Sequence, residues 1–301
     1  MGIFLGLSAA VSWGFADFLA RFAARRVGAY RTMFFMQLFG FAGLTVYLSV
    51  GRGTLQLAGL ARLASGPVWM AAIAAALLNV VATLALYRAF QTGVLSVAAP
   101  VASSYPALTI LLDSWSGEKL TGMRWVGLVA ALVGVILAAT PRNGNNGRDS
   151  TRVQAQQSAG SDWLATGVGW AFVASVGFGF MFWLLGFRVT PVIGGVAPIW
   201  IFRVVALLML AGASAPARQP LRLPDARTWW LLAGTGVLDT TAFVLTSVGM
   251  TTEQVSVVTV LCSLFGAVTM GLAWIFLRER LYWSQWIGIV LIFMGIVLVS
   301  A

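Results

Sequence analysis

GEKLTGMRWVGLVAALVGVIL, residues 117–137, and RERLYWSQWIGIVLIFMGIVL, residues 278–298, are one segment written twice. A shift of 161 superposes Glu118 on Glu279, Leu120 on Leu281, Trp125 on Trp286, Gly127 on Gly288 and Gly134 on Gly295. The correspondence continues towards the amino terminus. A shift of 160 pairs Asn79 with Asp239, Ser96 with Ser256 and Ser103 with Ser263. A shift of 163 pairs Ser12-Trp13-Gly14-Phe15 with Ser175-Val176-Gly177-Phe178, Val176 standing where the first copy has Trp13. This collinear order over most of both halves marks an internal duplication.

Composition says where such a chain lives. Of its 301 residues, 59% are hydrophobic and 9% charged, with nineteen basic against nine acidic side chains. Mean hydropathy is +0.90. A soluble protein needs about 25% charged residues to solvate its surface, so this chain belongs in a bilayer. The surplus of +10 reads as loop charge at a membrane surface, and no nucleic-acid partner is expected. The absence of His removes Ser-His-Asp triads, imidazole metal sites and His proton relays. A lone Cys262 allows neither an internal disulfide nor a multi-Cys metal site, and its apolar neighbours make it a core residue. No GxxxxGK[ST] pattern occurs, so ATP is not the expected direct energy source. No metal, cofactor or enzymatic activity is expected.

A hydrocarbon core about 30 Å thick takes roughly 20 apolar helical residues. That window predicts spans at 2–20, 29–50, 67–87, 93–112 and 123–140, then 163–187, 195–213, 228–249, 254–277 and 282–300. The first is read as a membrane helix and not a leader, since its first basic residue is Arg21 and it is long enough to cross. Between the halves lies PRNGNNGRDSTRVQAQQSAGSD, 141–162, read as a polar linker outside the membrane. The predicted domains are therefore repeats at 1–140 and 163–301 flanking that linker. An odd number of crossings reverses the second copy. The expected fold is an all-α integral membrane protein of ten transmembrane helices in two inverted five-helix repeats, with a site near mid-depth where one half rocks against the other.

Ser-Trp-Gly-Phe in the first span, Tyr87-Arg88-Ala89 at the end of the third, and the Gly-Glu-Lys-Leu and Arg-Glu-Arg-Leu turns, each followed by Trp-x-Gly and a second Gly seven residues on, carry a resemblance. The chain resembles the EamA group of the drug/metabolite transporter superfamily over nearly its whole length. The resemblance implies a ten-helix carrier in the cell (inner) membrane, monomeric or homodimeric, often exporting amino acids or related compounds. It also implies cytoplasmic termini. The basic residues point the other way: loops on the amino-terminal side hold five and the opposite loops thirteen, which by the positive-inside rule puts the termini outside.

A charge at bilayer depth costs several kcal/mol, from about 2.5 upwards. Asp239 and Arg203 are the two charges expected near mid-depth. Either they clamp a small-molecule substrate, with Asp239 as the candidate coupling carboxylate, or they form a buried pair that fixes packing. Asn79 holds the repeat position of Asp239 and Gln37 roughly that of Arg203. The four are expected on opposite walls of one cavity, or else in interhelical hydrogen bonds. Asp17 and Arg21, one turn apart, read as a local salt bridge at a helix end or as a gate. In the resemblance Trp13 faces inward.

Pro100 and Pro106 fall in the fourth span and Gly266 answers Pro106 in the ninth. They are hinge candidates, with Ser103 and Ser263 placed to bond freed carbonyls or substrate. Tyr105 and Phe265, also repeat-paired, are candidates to close over substrate. Glu118 and Glu279 read as caps of the helices that follow them, and the paired glycines as close-packing positions.

Overall fold

The computed structural model describes residues 1–50, 65–115, 122–138, 167–279, 281 and 283–300. The polar linker 141–162 and Glu118 lie outside the described residues. Among the described residues the structure is helical and contains no strand.

The first half runs α1 (Gly2–Val27), α2 (Ala29–Ser49), α3 (Gly66–Thr92), the broken pair α4 (Leu95–Ala102) and α5 (Tyr105–Trp115), and α6 (Gly122–Ala138). The second begins with α7 (Val168–Leu184), which passes through a π-turn at Leu185–Val189 into α8 (Thr190–Ile193). Then come α9 (Ala197–Ala213), α10 (Ala226–Thr252), the broken pair α11 (Val255–Ser263) and α12 (Phe265–Leu272), and α13 (Trp283–Ser300). A second π-turn, Ala273–Leu277, follows α12. Among the described residues, with the broken segments taken as units, there are ten, and seven of them are long and apolar enough to cross a membrane. Ala197–Ala213 and Trp283–Leu298 are apolar but shorter. The sequence placed all ten across the bilayer; length and apolarity alone carry seven.

Helices outrun the hydropathy windows at several ends, because backbone hydrogen bonding does not stop where charge begins. The first span was expected to end at residue 20, yet α1 continues through Arg21, Arg25 and Arg26 to Val27. Gly28, at φ 87°, turns the chain into α2. Pro100 lies inside α4, and the break falls at Ser103–Ser104, just ahead of Pro106. Of the hinge candidates, Pro106 follows the break directly and Pro100 lies within the helix before it. The matching break in the other half is Leu264. There Ser103 Oγ donates to Pro100 O at 2.9 Å and Ser263 Oγ to Val260 O at 2.7 Å. Gly266 lies where the two broken segments cross: a Cβ on it would meet Ser103 Oγ at 2.4 Å and Ala99 O at 3.1 Å.

Packing follows the duplication. The first segment (α1) packs on the eighth (α10) and the third (α3) on the sixth (α7), while the second and seventh, fourth and ninth, and fifth and tenth pack on each other. Each pairing maps onto itself or its counterpart when every segment is exchanged for the one five places on. α6 and α13 pack backbone against backbone. A Cβ on Gly134 would stand 2.6 Å from Gly288 O and 2.7 Å from Ile292 N, both backbone atoms unable to step aside. Gly134→Ala is therefore expected to cost about 1–3 kcal/mol through forced separation of the helices. Thermal melting of the purified protein reads this, and an unchanged midpoint would contradict it.

Candidate functional site

A cavity lies between α1, α3, α5, α7, α10 and α12, lined by Trp13, Asp17, Thr83, Leu86, Tyr87, Tyr105, Phe178, Phe182, Asp239, Phe243 and Phe265. Both halves of the chain build it. Its aromatic walls lock together. Trp13 meets Phe243, Phe182 and Phe265 edge-on, with ring centroids 5.0, 5.9 and 6.2 Å away. Tyr105 stacks on Phe182 at 4.7 Å and lies 6.5 Å from its repeat partner Phe265. The free volume left is about 30 Å³, room for a water or two.

One wall is polar. Ser12 Oγ donates to Leu238 O at 2.8 Å, which sets α1 in register with α10 and brings Trp13 opposite Asp239. Trp13 Nε1 donates to Asp239 Oδ1 at 3.1 Å. Arg203 Nη2 donates to Asp239 Oδ2 at 2.7 Å, and Arg203 Nη1 donates to Gln37 Oε1. The guanidinium lies over the Phe243 ring, 5.4 Å from its centroid. Arg203 therefore bridges Gln37 and Asp239 behind the cavity wall, with its own Nε and Gln37 Nε2 left without a hydrogen-bond partner.

Of the two readings open for these residues, the interhelical hydrogen bond is the one seen for Gln37 and Arg203. Gln37 and Arg203 do not face each other across a cavity with Asn79 and Asp239; only Asp239 reaches the lumen. Asn79 is buried off the lining and faces Thr83 Oγ1 at 3.5 Å along its own helix. Ser103 and Ser263 also lie off the lining, bonded to their own carbonyls. Trp13, Tyr105, Asp239 and Phe265 are the expected site residues that the fold brings together.

The larger correction concerns Asp17. It does not pair with Arg21 at a helix end, because α1 continues for ten residues beyond it. Asp17 is 5% exposed, and its Oδ2 has no hydrogen-bond partner. Arg21 turns away to Glu279, Nη2 to Oε1 at 2.8 Å. Glu279 Oε2 also accepts Ser96 N and Oγ, at 2.9 and 2.8 Å, and so caps the start of α4 across the molecule instead of the helix that follows it. Arg21 and Arg25 both donate to Gly93 O at 3.2 Å. Arg278, left-handed at φ 52°, makes the turn that aims Glu279 there. These contacts clasp α1, α4 and the end of the ninth segment together, one helical turn from Asp17.

Sequence reasoning missed Thr83, Leu86, Tyr87, Phe178, Phe182 and Phe243, which hydropathy cannot distinguish from core. Phe178 had a signal, as the last residue of the repeated Ser-x-Gly-Phe motif.

The model of the EamA-like transporter family matches residues 1–140 and 165–301. No curated protein matches the chain. A solved crystal structure is similar over 99% of this chain and 95% of its own, at 18% identity and a TM-score of 0.65. At that identity the likeness speaks to the fold.

Proposed function

The chain belongs to the EamA-like transporter family, within the drug/metabolite transporter superfamily, and from that premise we propose that it is a secondary carrier, an exporter of a small polar or amphipathic metabolite. Ten segments cross the cell (inner) membrane as two inverted five-helix repeats. The family and the seven long apolar helices make it a multi-pass membrane transporter, in contact with lipid and with a small-molecule substrate. Transport runs by alternating access, driven by a proton gradient or by exchange.

The observation that carries this reading is the narrow central cavity, walled by helices of both halves, with buried carboxylates on its lining. A pore would need a continuous lumen; a carrier needs a compartment that closes. The exchange-symmetric packing supplies the means, since the same contacts can open on either side. The Arg21–Glu279 clasp closes one end. At the site Asp239, held by Trp13 and Arg203, is a fixed anchor and the aromatic rings are the apolar walls.

A lipid-linked substrate is the second reading. It is favoured by an apolar groove of about 310 Å³ between α2 and α10, running from Phe39 and Tyr47 to Thr240 and Leu245.

Counterflow in proteoliposomes decides among these, using amino acids, nucleobases, sugars, quaternary amines and a short-chain lipid-linked sugar. The carrier reading expects saturable counterflow of a water-soluble compound. Linear, unsaturable flux would replace it with a passive channel, and counterflow of the lipid-linked sugar alone would replace it with a flippase.

A further inference from the structure

α3 has two unlike faces. Thr83, Leu86 and Tyr87 line the central cavity. Val81, Leu84, Ala85, Arg88 and Gln91, at helical spacing, line a separate cleft of about 520 Å³. The two spaces share no lining residue. The seam between them is tight. A Cβ on Gly177 would meet Ala82 Cβ at 2.9 Å, and one on Gly167 would meet Gly93 Cα at 2.9 Å and Ala89 O at 3.0 Å, so α3 and α7 pack closely behind the cleft. What fills the cleft therefore comes from the membrane side.

Polarity changes along the cleft. Val81 on α3 and Val173 on α7, both about half exposed, form its apolar part. Arg88 and Gln91 stand near the end of α3 at Thr92, and Trp170 stands in the first turn of α7. A Trp at the end of a span belongs to the membrane–water boundary. Gln219, on the turn after α9, completes the polar end. That wall is braced: Tyr30 OH donates to Leu210 O at 2.5 Å, Arg31 Nη2 to Arg222 O at 2.6 Å, and Gln219 N to Ser214 O at 2.9 Å.

This end of the bundle is basic. Arg26, Arg88, Arg218 and Arg227 are exposed here. The described acidic side chains at this end are Asp225, which interacts with Arg26, and Glu279, which is taken by Arg21. Among the described residues Arg88 therefore lines the cleft with no carboxylate bonded to it. An apolar slot that ends at the boundary in an unpaired guanidinium and two amides suits an acyl chain joined to a phosphate. A cationic head group would be repelled by the same surplus. We infer that the cleft binds one anionic glycerophospholipid, with its acyl chain on Val81 and Val173 and its phosphate on Arg88, Gln91 and Gln219. α3 belongs to the first half and α7 and Gln219 to the second, so the lipid bridges the two. The inference needs only the membrane location and is independent of what the central cavity carries.

The test is native mass spectrometry of the purified full-length protein, titrated in detergent with dioleoylphosphatidylglycerol or dioleoylphosphatidylcholine. These lipids share their chains and differ in head-group charge. The first phosphatidylglycerol should bind about tenfold more tightly than phosphatidylcholine. Arg88→Gln should weaken it by about tenfold or more and remove the preference. Arg227→Gln, at the same end but off the lining, should weaken it by less than about fivefold. Val173→Trp, which fills the apolar part and keeps Arg88, should weaken both lipids. Equal affinity of the wild type for the two lipids overturns the inference, as does binding of neither. An Arg88→Gln variant that keeps the preference overturns it, and so do equal losses in Arg88→Gln and Arg227→Gln, which would mean diffuse surface charge without a site. Displacement of the lipid by equimolar glycerol 3-phosphate would overturn it in favour of a soluble phosphate.

Discussion

Arg203→Met is expected to destabilise the protein by about 3–5 kcal/mol, because it strands Asp239 as an unpaired buried charge. Arg203 is 1% exposed and gives one nitrogen to Asp239 at 2.7 Å and another to Gln37. The pair is expensive to break from either side but not expensive to remove whole. Arg203→Met combined with Asp239→Leu should recover most of the loss. What remains is the cost of leaving Trp13 Nε1 and Gln37 without partners, about 1–3 kcal/mol for each buried orphan. Melting of wild type, both single variants and the double variant forms a cycle whose coupling term should be several kcal/mol. Additive losses would mean the two charges do not depend on each other, against the geometry. The cycle also separates stability from transport, since the double variant folds while its cavity wall has lost the polar anchor.

Glu279→Gln should shift the carrier towards the state open at the Arg21–Glu279 end by about a hundredfold to a few thousandfold, since removing one partner of a buried ion pair costs about 3–5 kcal/mol and 1.4 kcal/mol is about a factor of ten. The two side chains are 8% and 12% exposed, and Glu279 also holds the start of α4 through Ser96. Opening that end returns Arg21 and Glu279 to water, so the loss falls on the closed state and spares the open one. Gly93 O still accepts from Arg21 and Arg25, which keeps the variant folded. A Thr83→Cys reporter in a Cys262→Ala background should be alkylated faster from that face in the Glu279→Gln variant. Equal rates would mean the clasp fixes packing and gates nothing.

Much of the architecture is legible in sequence because bilayer and repeat leave coarse marks. Apolar runs announce helices, and Trp125/Trp286 with the paired glycines announce the duplication. The sequence also singled out Arg203 and Asp239 as charges amid apolar residues, and the fold places them in contact. Asp17 was misjudged for a physical reason. A hydropathy window ends where arginines begin, but Arg21 and Arg25 are satisfied by Glu279 and Gly93 O, so α1 runs on and Asp17 is interior. Gln37 was misplaced because pseudo-symmetry gives a residue's level along the bundle and not the face it presents. The aromatic walls had little signal: Phe182 and Phe243 look like any core phenylalanine until Tyr105 and Trp13 are seen against them.

The central claim is that the two halves take turns exposing one cavity. Alkylation of Thr83→Cys, on the Cys262→Ala background, with a membrane-impermeant thiol reagent in right-side-out and in inside-out vesicles tests it most directly. Thr83 lines the cavity and is 6% exposed, so it reacts only when that cavity opens. Alternating access predicts labelling from both faces, with protection on both by whichever compound shows counterflow. Labelling from one face alone, or substrate that protects neither, would contradict it.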